Sequence, residues 1–185
     1  MNTQEFKQLL QKKEQEIHNL IHKTMPVVAG EIAMNHFQDN FRRAGHLTGG
    51  TLHPWPKTRR QQLGDSRTPL LSERRQLMKS IQYAPGDARV RIFTDLPYAS
   101  IHNYGGPINT HPTVTPKMRR FAWAMYKEKG GKGPEADKWK ALALTKKKKL
   151  NIRGVMPQRM FLNDAPEVTT AIKEEAYRRL NDIFK

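Results

Sequence analysis

Cysteine is absent from this chain. That excludes a disulfide framework, a thiolate nucleophile and thiolate metal sites, and it fits a protein made and kept inside the cell. Long hydrophobic runs are missing too: none approaches the ~20 residues of a membrane span. The N-terminus, MNTQEFKQLLQKKEQE, is polar and amphipathic and lacks the apolar stretch of a secretory signal. The expectation is a protein without membrane association that remains in the cytoplasm where it is made. Hydrophobic residues account for only 37% of 185 positions. The length suffices for one domain with a core, but a sizeable share of it should be loop or extended arm. Acidic residues are scarce as well, 17 against 33 Lys and Arg, for a net charge of +16. Such a surplus calls for a polyanionic neighbour, either nucleic acid or an acidic protein surface.

The signatures of common catalytic sites are also missing. There is no GxxxxGK[ST] or GxGxxG loop for phosphates, no HExxH and no GxSxG elbow. His18 and His22 stand four apart, as two helix-borne metal ligands would. No third ligand accompanies them, and their face is rich in Lys, Gln and Glu, so a solvated surface is the better reading. His102 and His111 flank a Gly-Gly-Pro turn and could act as general bases of a nuclease. The carboxylates that two-metal phosphoryl chemistry needs are lacking, because Asp95 is the only acidic residue between Asp87 and Glu128. Gly105-Gly106 could cradle an anion with backbone N–H groups, but a lone Gly pair at a helix end reads first as a stop signal. The expectation is no enzyme, no metal and no cofactor.

What the chain does have is a localised charge surplus. From Arg42 to Arg75 there are eight basic and two acidic residues, and from Lys117 to Arg153 thirteen basic and three acidic. These two stretches hold the whole excess. The second contains the tetralysine Lys146, Lys147, Lys148 and Lys149, a candidate for non-specific phosphate contact, since it has no interleaved aromatics to stack bases. Its weak periodicity over 127–153, apart from a short helix over Ala136–Leu144, suggests mobility.

The more periodic segments are close to neutral. Phe6, Leu9, Leu10, Ile17, Leu20 and Ile21 predict an amphipathic helix over 3–23. Thr24 is a candidate cap for a second helix, with Pro26 in its first turn and Val28, Ile32, Phe37 and Phe41 on one side. Gly45 to Pro69 reads as a loop in which Trp55, between two prolines, plugs the core edge. Leu70–Ser80 should be a short helix carrying Leu71, Leu77 and Met78. Strands over Ser80–Ala84 and Ala88–Thr94 flank a Pro85-Gly86-Asp87 turn, with Val90, Ile92 and Thr94 facing one way and Arg89 and Arg91 the other. Pro97 to Gly106 reads as a short helix stopped by Gly105. A short strand is expected around Thr113–Thr115, then a helix capped by Thr115 and opened by Pro116, with Met118, Phe121, Ala122 and Met125 as its stripe. Val155–Leu162 should be an edge strand interrupted by Pro157. Asp164 and Pro166 open a last helix with Val168, Ile172, Ala176 and Leu180 on one face. The fold class is α+β: a small, mostly antiparallel β-sheet packed with a long N-terminal helix and a C-terminal helix. The expected organisation is an N-terminal helical arm over 1–44 and an α+β domain over 45–185, with a basic segment at about 127–153.

Three stretches occur in order: WPKTRR followed by LLSERRQLMKSI, then VRIFTDLPYASIHNYGG, then GVMPQRMFLNDAPEVTTAIKEEAYRRL. Together they make Trp55 to Leu180, with gaps, resemble the phage virion-morphogenesis family, the tail-completion proteins of Mu-like phages and prophages, against which Lys127–Arg153 reads as an insertion. One departure is Glu73-Arg74-Arg75, where that family often has Thr-Gly ahead of a leucine. The motif positions carried over are Trp55, Tyr98, His102, Gly105, Pro157, Arg159 and Phe161. All invite structural roles, with Tyr98 and Ile101 packing the short helix on the sheet and Pro157, Arg159 and Phe161 setting the last strand and its junction with the closing helix. The resemblance implies a structural protein that completes the tail and joins it to the head, forming a ring around the DNA path. Its partners would be copies of itself, tail and neck proteins, and DNA contacted non-specifically, first in the host cytoplasm and then in the virion. The rival readings are a free nucleic-acid-binding protein acting through its basic loops, and a metal-dependent nuclease.

Overall fold

The computed structural model describes residues 2–62, 70 and 74–185. The chain begins with α1 (Thr3–Asn19), opened by a capping box in which Asn2 and Glu5 exchange side-chain to backbone bonds of 2.8 Å each. A π turn (Leu20–Thr24) leads directly into α2 (Met25–Arg43). Thr24 therefore does not cap a new helix. It has helical backbone angles and its side chain caps nothing. The reason lies in Pro26, which has no N–H and whose ring would strike the carbonyl four residues back in a regular helix. Widening the turn, with the Met25 N–H bonded to the Leu20 carbonyl, lets the helix run on through the proline.

After α2 the Gly45–Pro69 stretch, expected as loop, starts with a hairpin of β1 (Gly45–Thr48) and β2 (Thr51–Pro54). Its turn is Gly49-Gly50, with φ of +60° and +75°, the left-handed pair that a tight two-residue hairpin requires. One helical turn, α3 (Arg59–Gln62), follows. The helix expected over Leu70–Ser80 is shorter, α4 (Gln76–Lys79), with Leu77 and Met78 buried; Leu71 lies outside the described residues. The next hairpin pairs β3 (Gln82–Gly86) with β4 (Arg89–Phe93). Pro85 and Gly86 belong to the strand, so the turn falls on Asp87-Ala88, one residue later than expected, and Ala88 takes φ of +48°. Val90 and Ile92 are half-buried while Arg89 and Arg91 are exposed, as the alternation predicts. Then come α5 (Ala99–Tyr104), β5 (Gly106–Thr110), α6 (Pro116–Glu128), α7 (Pro134–Leu144), β6 (Ile152–Met156) and α8 (Pro166–Ile183). The class is α+β, with three separate two-stranded antiparallel ladders among the described residues in place of one sheet.

The chain divides into two compact units, Met1–Gly105 with Pro157–Lys185, and Gly106–Met156. The core of the first unit draws on α2 and on residues beyond it. That core gathers Phe37 and Phe41 of α2, Trp55, Leu77, Met78, Ile81, Ala99, Phe161 and Val168. Phe41, Phe161 and Ile81 are fully buried, and the Phe41 ring lies 5.1 Å from Phe161 and 5.4 Å, edge-on, from Trp55. Gly30 of α2 faces Tyr83 of β3 so closely that an added Cβ would sit 2.2 Å from the ring. By contrast α1 buries no residue.

The second unit holds the stretch expected to be mobile, which contains the Pro134–Leu144 helix and the start of β6, joined by irregular segments over 129–133 and 145–151. Thr115 caps α6 by accepting the Met118 N–H at 3.2 Å, with Pro116 in the first turn, as the sequence predicts. The α6 and α7 helices pack through Ala122, Ala136 and Ala143, all buried, and an edge-on contact of Phe121 with Trp139 at 5.7 Å. The β5 and β6 strands pair over their full length, and an isolated bridge joins Thr113 to Lys149. The strand expected at Thr113–Thr115 is thus only that bridge, and the one expected over Val155–Leu162 ends at Met156. Pro157 explains the end, since it has no N–H to give a ladder.

Candidate functional site: a buried amide clamp and a basic second unit

The segment from Pro157 to Asp164 has no regular structure, so its backbone polar groups need partners from elsewhere. Asn103 supplies three. Its side-chain oxygen accepts the N–H groups of Phe161 and Leu162 at 2.8 and 2.9 Å, and its amide nitrogen donates to the Leu162 carbonyl at 3.1 Å. Asn40, fully buried on α2, donates to the Phe161 carbonyl at 3.1 Å and accepts the Leu47 N–H at 3.3 Å. Asn163 donates to the Leu47 carbonyl and the Thr48 hydroxyl at 3.0 and 2.7 Å. The Trp55 indole N–H donates to the Met160 carbonyl at 2.9 Å. Three asparagines and a tryptophan therefore hold one irregular strand against α2, α5 and the β1–β2 hairpin.

Arg159 is buried in the same place. Its backbone N–H donates to the His102 carbonyl at 2.8 Å, and its guanidinium donates to the carbonyls of Pro56, at 3.0 Å, and Lys57. Burial lowers its pKa from the ordinary arginine value. His102 is half-buried and pushed below the usual histidine range by burial first and the Arg159 charge second. Its Nδ1 has no hydrogen-bond partner among the described residues. Gly105, at φ +69°, ends α5 and spends its N–H on the Ile101 carbonyl, so that N–H is not free for an anion. Pro157 is exposed and Phe161 buried. Tyr98 is exposed and meets His102 edge-on at 6.0 Å; α5 buries Ala99 and Asn103 in its place, with Ile101 half-buried.

Two other half-buried histidines belong to the first unit. His36 is lowered by burial, partly offset by Glu167, and His46 is lowered by burial and by His53. His18 and His22 stack at 4.2 Å, and His22 Nδ1 lies 2.5 Å from the Asp87 carboxylate in the β3–β4 turn. Among the described residues no three His, Cys, Asp or Glu side chains come together to hold a metal ion.

In the second unit Lys146, Lys147, Lys148 and Lys149 are all exposed. Their backbone is tied down, with the Lys148 carbonyl accepting the Val114 N–H at 2.9 Å and the Leu150 N–H reaching the Pro112 carbonyl at 3.0 Å. This unit carries thirteen basic and three acidic residues. It shares none of the clamp's residues.

Asn40, Asn103 and Asn163 were not among the motif residues singled out from the sequence. Asn40 left one signal: a polar residue between Phe37 and Phe41 on the buried stripe of α2. The motif segments that converge on the clamp are those that suggest a virion protein, and the family comparison agrees. The chain belongs to the phage virion morphogenesis family, whose model matches residues 1–181. Its role is that of a phage structural or assembly protein. No curated protein and no solved structure matches it. Among the described residues no helix is long and apolar enough to cross a membrane.

Proposed function

We propose that this chain is a non-enzymatic component that completes the phage tail and joins it to the head, assembling as a ring of identical subunits around the DNA path. The observation that carries the reading is the charge map. The second unit carries thirteen basic and three acidic residues, against twenty and fourteen in the larger first unit, which is packed around the amide clamp. A ring multiplies weak phosphate contacts without new chemistry, because every subunit presents the same surface at once. Tail and neck proteins are its other partners. Assembly takes place in the host cytoplasm, and the protein then stays in the virion.

The test is removal of the gene from a producing phage, followed by electron microscopy of the lysate. Full heads and unjoined tails are expected, with joining restored by adding the purified protein. Infectious, fully joined particles in its absence would refute the reading. A second reading, a free nucleic-acid-binding protein, draws on the four exposed lysines Lys146 to Lys149. It requires the protein to be missing from purified virions.

A further inference from the structure

The ladder of β5 and β6 is longer than its two strands. Gly106 pairs with Met156 and Thr110 with Ile152, and the bridge of Thr113 with Lys149 keeps the same register. The residues between, His111 opposite Asn151 and Pro112 opposite Leu150, continue it. Because strand side chains alternate between faces, and directly opposed residues share one, Pro107, Asn109, His111 and Thr113 lie on the same face as Val155, Asn151, Arg153 and Lys149. Every one of these eight is exposed. Most of the opposite face, including Ile108, Pro112, Val114, Leu150 and Met156, is half-buried.

The exposed face has a definite chemistry. It offers a guanidinium, an ammonium, two side-chain amides, a hydroxyl and an imidazole, and no carboxylate. It carries no aromatic platform for unstacked bases, which argues against single strands. A two-stranded ribbon fits the major groove of B-form DNA, whereas the major groove of A-form RNA is too deep and narrow to enter. We infer that this ribbon face is a duplex-DNA contact surface, in which Arg153 and Lys149 engage phosphates across the groove and Asn109, Asn151 and Thr113 face its floor. The inference rests on the proposed place beside DNA and names the element that makes the contact. Lys146, Lys147 and Lys148, just beyond the ladder, add phosphate contacts at its end.

The experiment measures binding of the full chain to a mixed-sequence DNA duplex of about two helical turns by fluorescence anisotropy across a salt series. The ribbon variant K149Q/R153Q is compared with K127Q/K138Q, which removes the same charge from α6 and α7. The ribbon variant should lose affinity on the order of tenfold or more at 0.1 M salt and flatten the log–log salt slope by about 1.8, two phosphate contacts' worth. The helix variant should change both much less. N109A/N151A, which leaves charge untouched, should weaken binding with the slope unchanged. Equal losses in the two charge variants would overturn the assignment, leaving only a diffuse basic field. So would binding to duplex RNA as tight as to DNA, polyglutamate competing as well as DNA (an acidic protein partner), or no duplex binding by the unmodified chain. The assembly reading fails separately, through joined particles in the gene-deleted phage, and that result leaves duplex binding in vitro unaffected.

Discussion

The two units solve the same problem in opposite ways. The first surrounds an irregular strand with buried amides, so that nearly every polar group of Phe161 and Leu162 has a side-chain or backbone partner. The second has a thin core of alanines between two helices and a ribbon whose one face is left to solvent. Buried hydrogen-bonded networks specify one arrangement, because each missing partner is costly in a low-dielectric interior. Exposed cations specify little by themselves and are available for a partner. The larger share of the charge surplus thus lies outside the unit that holds the clamp.

The sharpest way to break that contrast is Asn103→Ala. It leaves two buried N–H groups and a carbonyl unbonded, and at about 1–3 kcal/mol for each unsatisfied group the first unit should lose roughly 3–5 kcal/mol in urea unfolding. A loss under about 1 kcal/mol would mean that the clamp is redundant. Acidification should come next. Burial holds His36, His46 and His102 below their ordinary value, so the unfolded chain takes up protons first as pH falls. Stability should be full near neutrality and decline as pH drops through the ordinary histidine value of about 6.5 towards the lowered folded values. Glu175, held down to about 2 by bonds from Arg178 and Arg179, stays ionised across that window and does not contribute to the decline. Urea midpoints that stay flat between pH 7.5 and 5.5 would contradict this.

Trp55→Phe keeps an aromatic beside Phe41 but removes the bond to Met160, and should cost about 2 kcal/mol. Excising residues 106–156 is a gentler change. Gly106 and Met156 are ladder partners, so a two-glycine link can join Gly105 to Pro157. The first unit should keep one cooperative transition, shifted by about 1 kcal/mol; loss of that transition would show that the two units fold as one. Replacing Lys146 to Lys149 with glutamine should move stability by no more than about 0.5 kcal/mol, measured by the same melt, because all four are exposed.

Much of the architecture was legible where local rules decide it. The amphipathic N-terminal stripe, the Thr115 cap, the Arg89-Val90-Arg91-Ile92 alternation and the Gly105 stop all follow from neighbours within a few residues. Three things were not. The β1–β2 hairpin carries little apolar alternation, so its Gly49-Gly50 turn is indistinguishable in sequence from the Gly- and Pro-rich loop around it. The β5–β6 pairing joins residues up to fifty positions apart, and two helices intervene, so no local pattern announces it. The clamp depends on Asn103, which in sequence is an ordinary helix-face residue. Only when the 161–162 backbone arrives from far along the chain does that amide become the centre of the fold. The family motif spans the segments that meet at the clamp, while Tyr98, one of its named residues, is exposed beside it.

Gly30 closes off a common route to a sturdier protein. Replacing a mid-helix glycine with alanine ordinarily firms a helix by about 1 kcal/mol. Here the extra methyl would land on the Tyr83 ring, so that the ring or the β3–β4 hairpin carrying it would have to shift. A designer ranking substitutions by helix propensity alone would choose this position early and disturb the contact between helix and hairpin.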